Sequence, residues 1–559
     1  MCGFLAFVVI YGTWKTRKPK DFDYYLRTGK TTAWWTIALS IMATQASAIT
    51  FLSTPGQAYV DGMRFVQFYL GLPVAMIILS ITAVPLYNKL NVYTAYEYLE
   101  KRFDLKNRLL GSGLFLTQRG LAAGFTIYAP ALILSVILGW EINTTIILMG
   151  GMVILYTTVG GTEAVNKTHL IQMIIITAGM FSVFFMIFIL LPEDITVIDA
   201  AYIAGKMGKL NAIDFTFDLS NRYTFWSGII GGTFLMLSYF GTDQSQVQRY
   251  LAGSSVAQSR MGLLTNGIVK VPMQFIILFI GAMVFVFYQF VTPPLFFNPV
   301  EERIVKNSVQ SAEYLQLEEN YNQLNEQKQN SIRELLSAIK SKDGKVIDEK
   351  TSELHLKSEE ASIVRNDAIK LIKETNPGSD GNDTNYIFLT FITNFLPVGL
   401  IGLLLAAILS ASMSSTSAEL NALASTTVVD FYKRLIKKDG SDRQYLNASK
   451  VSTVLWGIYA ISFALFANNL GSLIEAVNIL GSLVYGTILG IFLTAFYLKK
   501  VNGTATFTAA IIAEVLVLYS YLFTNIPFLW YNVIGCMAVI IISLLISKFS
   551  KTIQRNSAN

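Results

Sequence analysis

Cysteine and histidine are almost absent, with two of each in 559 residues. Cys2 and Cys536 lie in apolar stretches far apart, so neither a disulfide framework nor a cysteine-based metal site follows. Two histidines leave no Ser/His/Asp constellation and no metal-ligand spacing, and Gly160-Gly161 sits at a helix end without a phosphate-loop pattern. Nothing therefore points to an enzyme or to an organic cofactor. Charge is scarce as well. Only 14% of residues are charged while 53% are hydrophobic, and the mean hydropathy of +0.48 excludes an ordinary soluble domain. The net charge of +6 implies no nucleic-acid partner; in a chain made for the lipid bilayer, the position of the basic residues carries the information.

A hydrocarbon core about 30 Å thick takes about 20 residues of helix per crossing, and that ruler divides the chain into about thirteen spans. Their limits fall near 1–14, 33–58, 66–89, 109–138, 145–161, 169–192, 223–250, 260–292, 398–431, 447–468, 470–498, 503–523 and 526–548. Alternate threading puts the basic segments 15–20, 89–108, 249–260, 433–450, 499–500 and 548–555, with Lys167, on one side. The positive-inside rule makes that side the cytoplasm, with the amino terminus outside and the carboxyl terminus inside a cell membrane, expected to be a bacterial inner membrane. The first span is short and lacks a cleavage-site pattern, so it is not a signal peptide and the true start is expected upstream of Met1.

Residues 301–385 do not belong in a bilayer. Glu, Lys, Asn and Gln dominate there, and apolar residues recur at helical spacing at Leu317, Tyr321 and Leu324, then at Ile332, Leu335, Leu336 and Ile339. The turn signal Lys342-Asp343-Gly344-Lys345 precedes a second helical stretch carrying Ile363, Val364, Ile369 and Ile372. An external helical hairpin is expected, its charges forming either a solvated face or a contact for an unknown partner. The resulting organisation is a first helix and cytoplasmic loop (1–32), a first set of five spans (33–192), an external loop (193–222), a second set (223–498) interrupted by the hairpin, and two terminal helices with a tail (499–559).

The segment 398–429 begins as an apolar run and then fills with hydroxyls: Ser410, Ser412, Ser414, Ser415, Thr416 and Ser417. Hydroxyls within hydrocarbon need partners, so this uncharged cluster points to neutral oxygens presented to a small cation or polar solute. Spans two to six and seven to eleven make two sets of five. An odd number sets the second upside down relative to the first, as in an inverted repeat whose leading helices are broken near mid-membrane. Both leading helices carry break chemistry, Ala43-Thr-Gln-Ala-Ser-Ala-Ile-Thr50 before Pro55-Gly56 in span two and Tyr239-Phe-Gly-Thr-Asp-Gln244 in span seven. Helix–helix packing alone explains such residues equally well, but their matching positions in both halves favour function.

In order and spacing, Ala95-Tyr-Glu-Tyr-Leu-Glu-Lys-Arg-Phe103, Ile127-Tyr-Ala-Pro-Ala131, Gly160-Gly161 with Ile171-Gln172, Gly241-Thr-Asp-Gln244, Val247-Gln-Arg-Tyr-Leu251 and Asp430-Phe-Tyr-Lys433 resemble the sodium/solute symporters over most of the chain. The Tyr-Ala-Pro-Ala and Val-Gln-Arg-Tyr pieces resemble the monocarboxylate, multivitamin and iodide carriers most, with sugar and sialic acid carriers more distant. The resemblance implies an all-α membrane protein with the five-plus-five inverted repeat of the leucine transporter. It also implies a Na⁺-coupled symporter that imports a small polar organic solute, such as an organic acid, sugar or polyol, by alternating access. A proton-coupled symporter using Asp243 or His169 remains open, as does a receptor that binds solute without moving it.

The family's principal sodium site, carried over by resemblance, falls on the carbonyls of Ala43, Ala46 and Ala411 and the hydroxyls of Ser414 and Ser415. An all-neutral oxygen cage suits a hard monovalent ion better than Ca²⁺, which recruits carboxylates. The alternative for Ser414 and Ser415 is packing, with each hydroxyl bonded to the preceding turn. A second sodium site found in some members needs an acidic residue in a Trp-Thr-Asp-x-Ile-Gln motif, where this chain reads Lys167-Thr168-His169-Leu170-Ile171-Gln172. Its further serine is replaced by Ala418, although Ser417 remains. A single coupled Na⁺ is expected, and His169 becomes either a proton sensor or an interfacial residue.

Stoichiometry limits accumulation. A potential of about 100 mV is worth about 2.3 kcal/mol per charge and a tenfold Na⁺ gradient about 1.4 kcal/mol, so one Na⁺ drives a neutral solute about 500-fold but a monoanion only about tenfold. The branch resemblance favours an organic anion and the single Na⁺ a neutral solute. Family geometry places Gln45, Ser47, Thr50, Phe68 or its neighbour Gln67, Tyr239 and Asn478 around the substrate. Gln118 and Arg119 lie inside the predicted fourth span, where an arginine either contacts substrate or pairs with another helix.

Overall fold

The computed structural model describes residues 32–45, 47–379, 381–466 and 471–556, with the backbone alone for 160–172 and 550–556. Span 1–14 and Ala46 lie outside the described residues, as does the side chain of His169. In a bilayer each backbone N–H and C=O must pair within its own segment, which makes the apolar runs helical. Among the described residues there is accordingly no strand, only an isolated bridge between Thr32 and Gly253.

The membrane bundle opens with α1 (Trp34–Gln45), a π turn at Ile49–Ser53 and α2 (Thr54–Asp61). A 3₁₀ turn at Gly62–Tyr69 leads into α3 (Gly71–Ile81), α4 (Ala83–Leu90), the short α5 (Tyr96–Arg102), α6 (Leu105–Leu138) and α7 (Ile142–Leu190). Beyond α8 (Val197–Lys206) come a π turn at Ser227–Gly231, α9 (Gly232–Gly241), α10 (Gln244–Leu251) and α11 (Val256–Phe290). Four helices then form the insertion between the apolar helices and its return, α12 (Pro299–Lys306), α13 (Ser311–Ser341), α14 (Gly344–Thr375) and α15 (Thr384–Phe395). The chain re-enters the bundle through α16 (Val398–Thr426), a π segment at Thr427–Ile436, α17 (Asp442–Ala464), α18 (Leu473–Tyr497), α19 (Gly503–Phe523) and α20 (Phe528–Asn556).

Nine stretches among the described residues are long and apolar enough to cross a membrane, fewer than the ruler of about 20 residues per crossing gave. The broken helices account for part of the difference, since α1 has only 12 residues and Ser227–Gly241 is likewise short. A loop expected between 161 and 169 is absent, because α7 runs unbroken through Ile142–Leu190. No proline interrupts that sequence, and paired glycines weaken a helix without stopping it.

Both leading helices are interrupted. Regular helix in span two ends at Gln45 and resumes through the π turn at Ile49, with Thr50 Oγ1 donating to Gln45 O at 2.9 Å. In span seven α9 stops at Gly241, and Asp243 turns extended to cap α10 by accepting from Ser245 N at 2.9 Å. The carbonyls released there are taken up by tyrosines, Tyr87 at Gly241 O and Tyr96 at Thr242 O, both at 2.9 Å. Small residues bring the elements close. A β-carbon on Gly281 of α11 would stand 2.2 Å from Pro55 O on α2.

The helices α13 and α14 pack side by side outside the membrane bundle, joined at Lys342 in the left-handed conformation and Asp343, which caps α14. Tyr314, Tyr321, Ala368 and Leu371 make a local core, whereas Ile332, Leu335, Leu336 and Leu354 join the main hydrophobic core. The hairpin is thus seated on the bundle. Its Lys328 is buried beside Lys209 of the loop after α8, and burial pushes both ammonium groups down to about 8. Lys209 donates to Val60 O at the end of α2, and the His355 ring lies 3.1 Å from Lys206 O. Arg365 clasps Asp383 at 2.6 Å, and Asp383 accepts from Phe297 N at 2.7 Å.

Candidate functional site

A central cavity of about 110 Å³ opens where the two broken helices meet. From span two it receives Thr44, Gln45, Ser47 and Thr50, from span three Phe68 and Tyr69, from α9 Tyr239, and from α18 Asn478 and Tyr485. Of the residues expected around the substrate, Gln45, Ser47, Thr50, Phe68, Tyr239 and Asn478 thus share one wall-to-wall space. Gln67 does not line it. Its amide is fully buried, donating to Tyr223 O at 2.8 Å and accepting from Asp214 N at 2.8 Å, so it ties the loop after α8 to the bundle. The 3₁₀ turn at Gly62–Tyr69 explains this, because neighbouring side chains there point in different directions.

Arg119 lines the cavity and is bound to other helices. Its Nη1 donates to Glu419 Oε1 at 3.0 Å, its Nε to Asp243 Oδ2 at 3.1 Å, and its Nη2 to Asp243 and to Tyr485 Oη at 2.5 Å. The guanidinium also faces the Tyr239 ring at 5.4 Å. Tyr485 donates to Asp243 Oδ2 at 3.0 Å, and Thr126 Oγ1 to Glu419 Oε2 at 2.9 Å. Helices α6, α9–α10, α16 and α18 are therefore locked by one buried charge network. Asp243 caps α10 with Oδ1 and pairs with Arg119 through Oδ2. Gln118 does not line the cavity; it is buried, and its Oε1 has no partner among the described residues.

Two charged cavity residues were missed in the sequence. Glu419 stands two positions beyond the hydroxyl cluster and Lys270 lies within the apolar run 260–292, so each was visible as an isolated charge in a membrane span.

The hydroxyl cluster of α16 divides into faces. Ser412 and Thr416 turn to α6 and donate to Thr126 O at 2.9 and 3.3 Å. Ser415 donates back to Ala411 O at 3.2 Å and Ser412 O at 3.1 Å, which leaves its lone pairs open. Ser414 and Ser417, each 1% exposed or less, have hydroxyls with no partner among the described residues. An orphaned buried hydroxyl is costly in an apolar interior, and a hard cation taking oxygen ligands relieves it. The oxygen set of Ala43, Ala411, Ser414 and Ser415 therefore fits Na⁺ chemically, since α16 packs against α1. Ala418 is buried against Tyr156 of α7 and offers no side-chain oxygen.

Two interrupted helices around a polar cavity, in a bundle of membrane helices, define a secondary transporter. The model of the sodium:solute symporter family matches residues 24–319 and 366–513, and the chain belongs to that family. It is a multi-pass membrane transporter that couples a solute to Na⁺, and not an enzyme. A sodium/sialic acid symporter of Proteus mirabilis is 26% identical over 550 residues, covering 96% of this chain and 92% of that protein. Sodium-coupled monocarboxylate transporter 1 of Xenopus laevis is 27% identical over 498 residues, covering 89% of this chain and 67% of its own. The sialic acid carriers, expected as the more distant branch, thus match along nearly the whole chain. The solved outward-open structure of a Na⁺-coupled sialic acid symporter superposes with a TM-score of 0.74 at 23% identity, covering 98% of this chain and 96% of that one. The fold is that of the leucine-transporter-like carriers with their five-plus-five inverted repeat. The unmatched residues 320–365 fall within α13 and α14.

Proposed function

We propose that the chain imports a small organic acid together with one Na⁺, with the amino terminus outside and the carboxyl terminus in the cytoplasm of a bacterial inner membrane. The observation that carries the sodium half is the Ser414 hydroxyl, buried without a partner among the described residues on the helix that packs against α1. Na⁺ is held by Ala43, Ala46, Ala411, Ser414 and Ser415, the solute by Gln45, Ser47, Thr50, Phe68, Tyr239 and Asn478. Sodium bound at the break of span two orders that break, and the ordered break completes the solute cavity beside it. Binding of each ligand thereby strengthens binding of the other. One ion per turnover is supported by the second site's departures from the family pattern, His169 in place of an acidic residue and Ala418 in place of a serine, although Ser417 remains. An organic acid is supported by relatives that are sialic acid and monocarboxylate symporters.

The test is uptake into proteoliposomes with Na⁺ and pH gradients imposed separately. Sodium-driven accumulation of pyruvate, lactate or N-acetylneuraminate is expected. Uptake driven by protons alone, or solute binding without uptake, overturns the reading.

A further inference from the structure

Lys270 sits near the middle of α11, is 1% exposed, and lines the central cavity. Among the described residues no carboxylate and no hydrogen-bond acceptor reaches its ammonium. Its neighbours on the same helix face do not serve it either. Asn266 and Gln274, one turn to each side, are fully buried, and both amide atoms of each lack a partner among the described residues. An unpaired ammonium inside a membrane protein is expensive, and it is kept where a ligand supplies the counter-charge.

The other cation at the cavity is already satisfied. The donors of Arg119 go to Asp243, Glu419 and Tyr485, and its face is covered by Tyr239. Glu419 also lines the cavity, so an anion approaching Arg119 meets a carboxylate. Charge and hydrogen bonding therefore set the two cations apart. Arg119 is paired with both Asp243 and Glu419, whereas Lys270 has no counter-charge among the described residues.

We infer that Lys270 is the carboxylate-binding residue of the transported solute, and that Arg119 is not. This rests on the Na⁺-coupled reading above and names the ligand class of its site: a small monocarboxylate, seated with its anionic end on α11. Its oxygen-bearing remainder lies against Gln45, Ser47 and Asn478. The Asn478 amide donates to Ile474 O at 2.7 Å, which leaves its carbonyl to accept from a solute hydroxyl. Charge supports the assignment. By formal charge Lys270 and Arg119 offset Asp243 and Glu419, so one monoanion arriving with one Na⁺ leaves the sum at zero, which suits a site enclosed by apolar helices.

The experiment uses the full chain in lipid nanodiscs. Na⁺-dependent thermal stabilisation is measured with pyruvate, lactate and N-acetylneuraminate, each beside its neutral amide or methyl ester, and with glucose and myo-inositol. At least one acid is expected to bind in Na⁺ tenfold or more tightly than its neutral twin. Lys270→Met should weaken that acid at least 30-fold while leaving stabilisation by Na⁺ alone intact. The same variant should raise the unfolding temperature of the ligand-free protein, because an unpaired buried charge is gone. Lys270→Arg should stay within tenfold of the unaltered chain. Stabilisation by neutral solutes only, no response to any acid, or equal loss of acids and neutral twins in Lys270→Met with a lowered unfolding temperature each overturn the inference. If the unaltered chain shows no response to Na⁺ at all, the Na⁺-coupled reading fails instead.

Discussion

Arg119 of α6 and Glu419 of α16, 300 positions apart in sequence, meet at 3.0 Å in the middle of the bundle. Their contact joins the hydroxyl-rich helix to the break in span seven, because the same guanidinium holds Asp243. Ion and solute sites are thereby built on one rigid frame. Removing one partner of a buried charge pair strands the other, at a cost of about 3–5 kcal/mol. Arg119→Gln should accordingly lower the unfolding temperature sharply and abolish uptake, since two buried carboxylates are left facing each other. Glu419→Gln keeps one acceptor, its carbonyl, for Arg119, and turns the other position into an amide NH₂ that can donate to Thr126 Oγ1, so it should cost less. Thermal unfolding of both single variants and the double variant, read as a cycle, checks the coupling; additive effects would refute it.

Ser414 and Ser415 separate a sodium ligand from a packing hydroxyl. Ser414 makes no side-chain hydrogen bond among the described residues, so Ser414→Ala should leave stability without Na⁺ unchanged or slightly raised. It should nevertheless increase the Na⁺ concentration for half-maximal uptake by about tenfold or more, equivalent to about 1.4 kcal/mol of lost ion binding. Ser415→Ala should raise the Na⁺ requirement too, with a small stability change from the lost bond to Ala411 O. Unaltered Na⁺ dependence in both removes the assignment.

Gln67 makes the opposite prediction. Its two buried bonds to Tyr223 and Asp214 hold the loop after α8, and truncation leaves a carbonyl and an N–H without their partner, each worth about 1–3 kcal/mol. Gln67→Ala should destabilise the protein while solute affinity, measured on the folded fraction, stays within twofold. A large affinity loss at unchanged stability would return Gln67 to the cavity.

Seating of the external hairpin should depend on alkaline pH. Lys328 and Lys209 have their pKa pushed down to about 8 in the docked state, against about 10.4 when exposed. A lysine with a depressed pKa binds fewer protons when docked, so docking strengthens as pH rises from about 8 towards 10 and bears the full cost of charge burial below 8. Hydrogen exchange or limited proteolysis of residues 311–375 should show rising protection across that window. Lys328→Met should raise protection at neutral pH and flatten the profile. Protection falling between pH 8 and 10 would contradict the linkage.

The sequence by itself determined the class of protein. Apolar runs long enough for the bilayer, basic residues gathered on alternate loops, polar breaks in spans two and seven, and hydroxyls in 398–429 follow from the hydrocarbon layer, which acts on each segment separately. For that reason the breaks at Gln45 and at Thr242–Asp243 were legible before any tertiary contact was known. Three things were decided only in three dimensions. Gln67 and Phe68 are adjacent in sequence, yet the 3₁₀ turn sends one to a structural bond and the other to the cavity. Arg119 was readable as an intramembrane charge, but its partners Asp243 and Glu419 come from helices 124 and 300 positions away, which periodicity within one helix does not encode. The α16 hydroxyls look alike in the sequence, and packing against α6 satisfies Ser412 and Thr416 while leaving Ser414 and Ser417 without partners among the described residues. Local hydropathy fixes which segments enter the membrane; which polar atoms remain unpaired there, and so available to a ligand, depends on what the other helices bring to them.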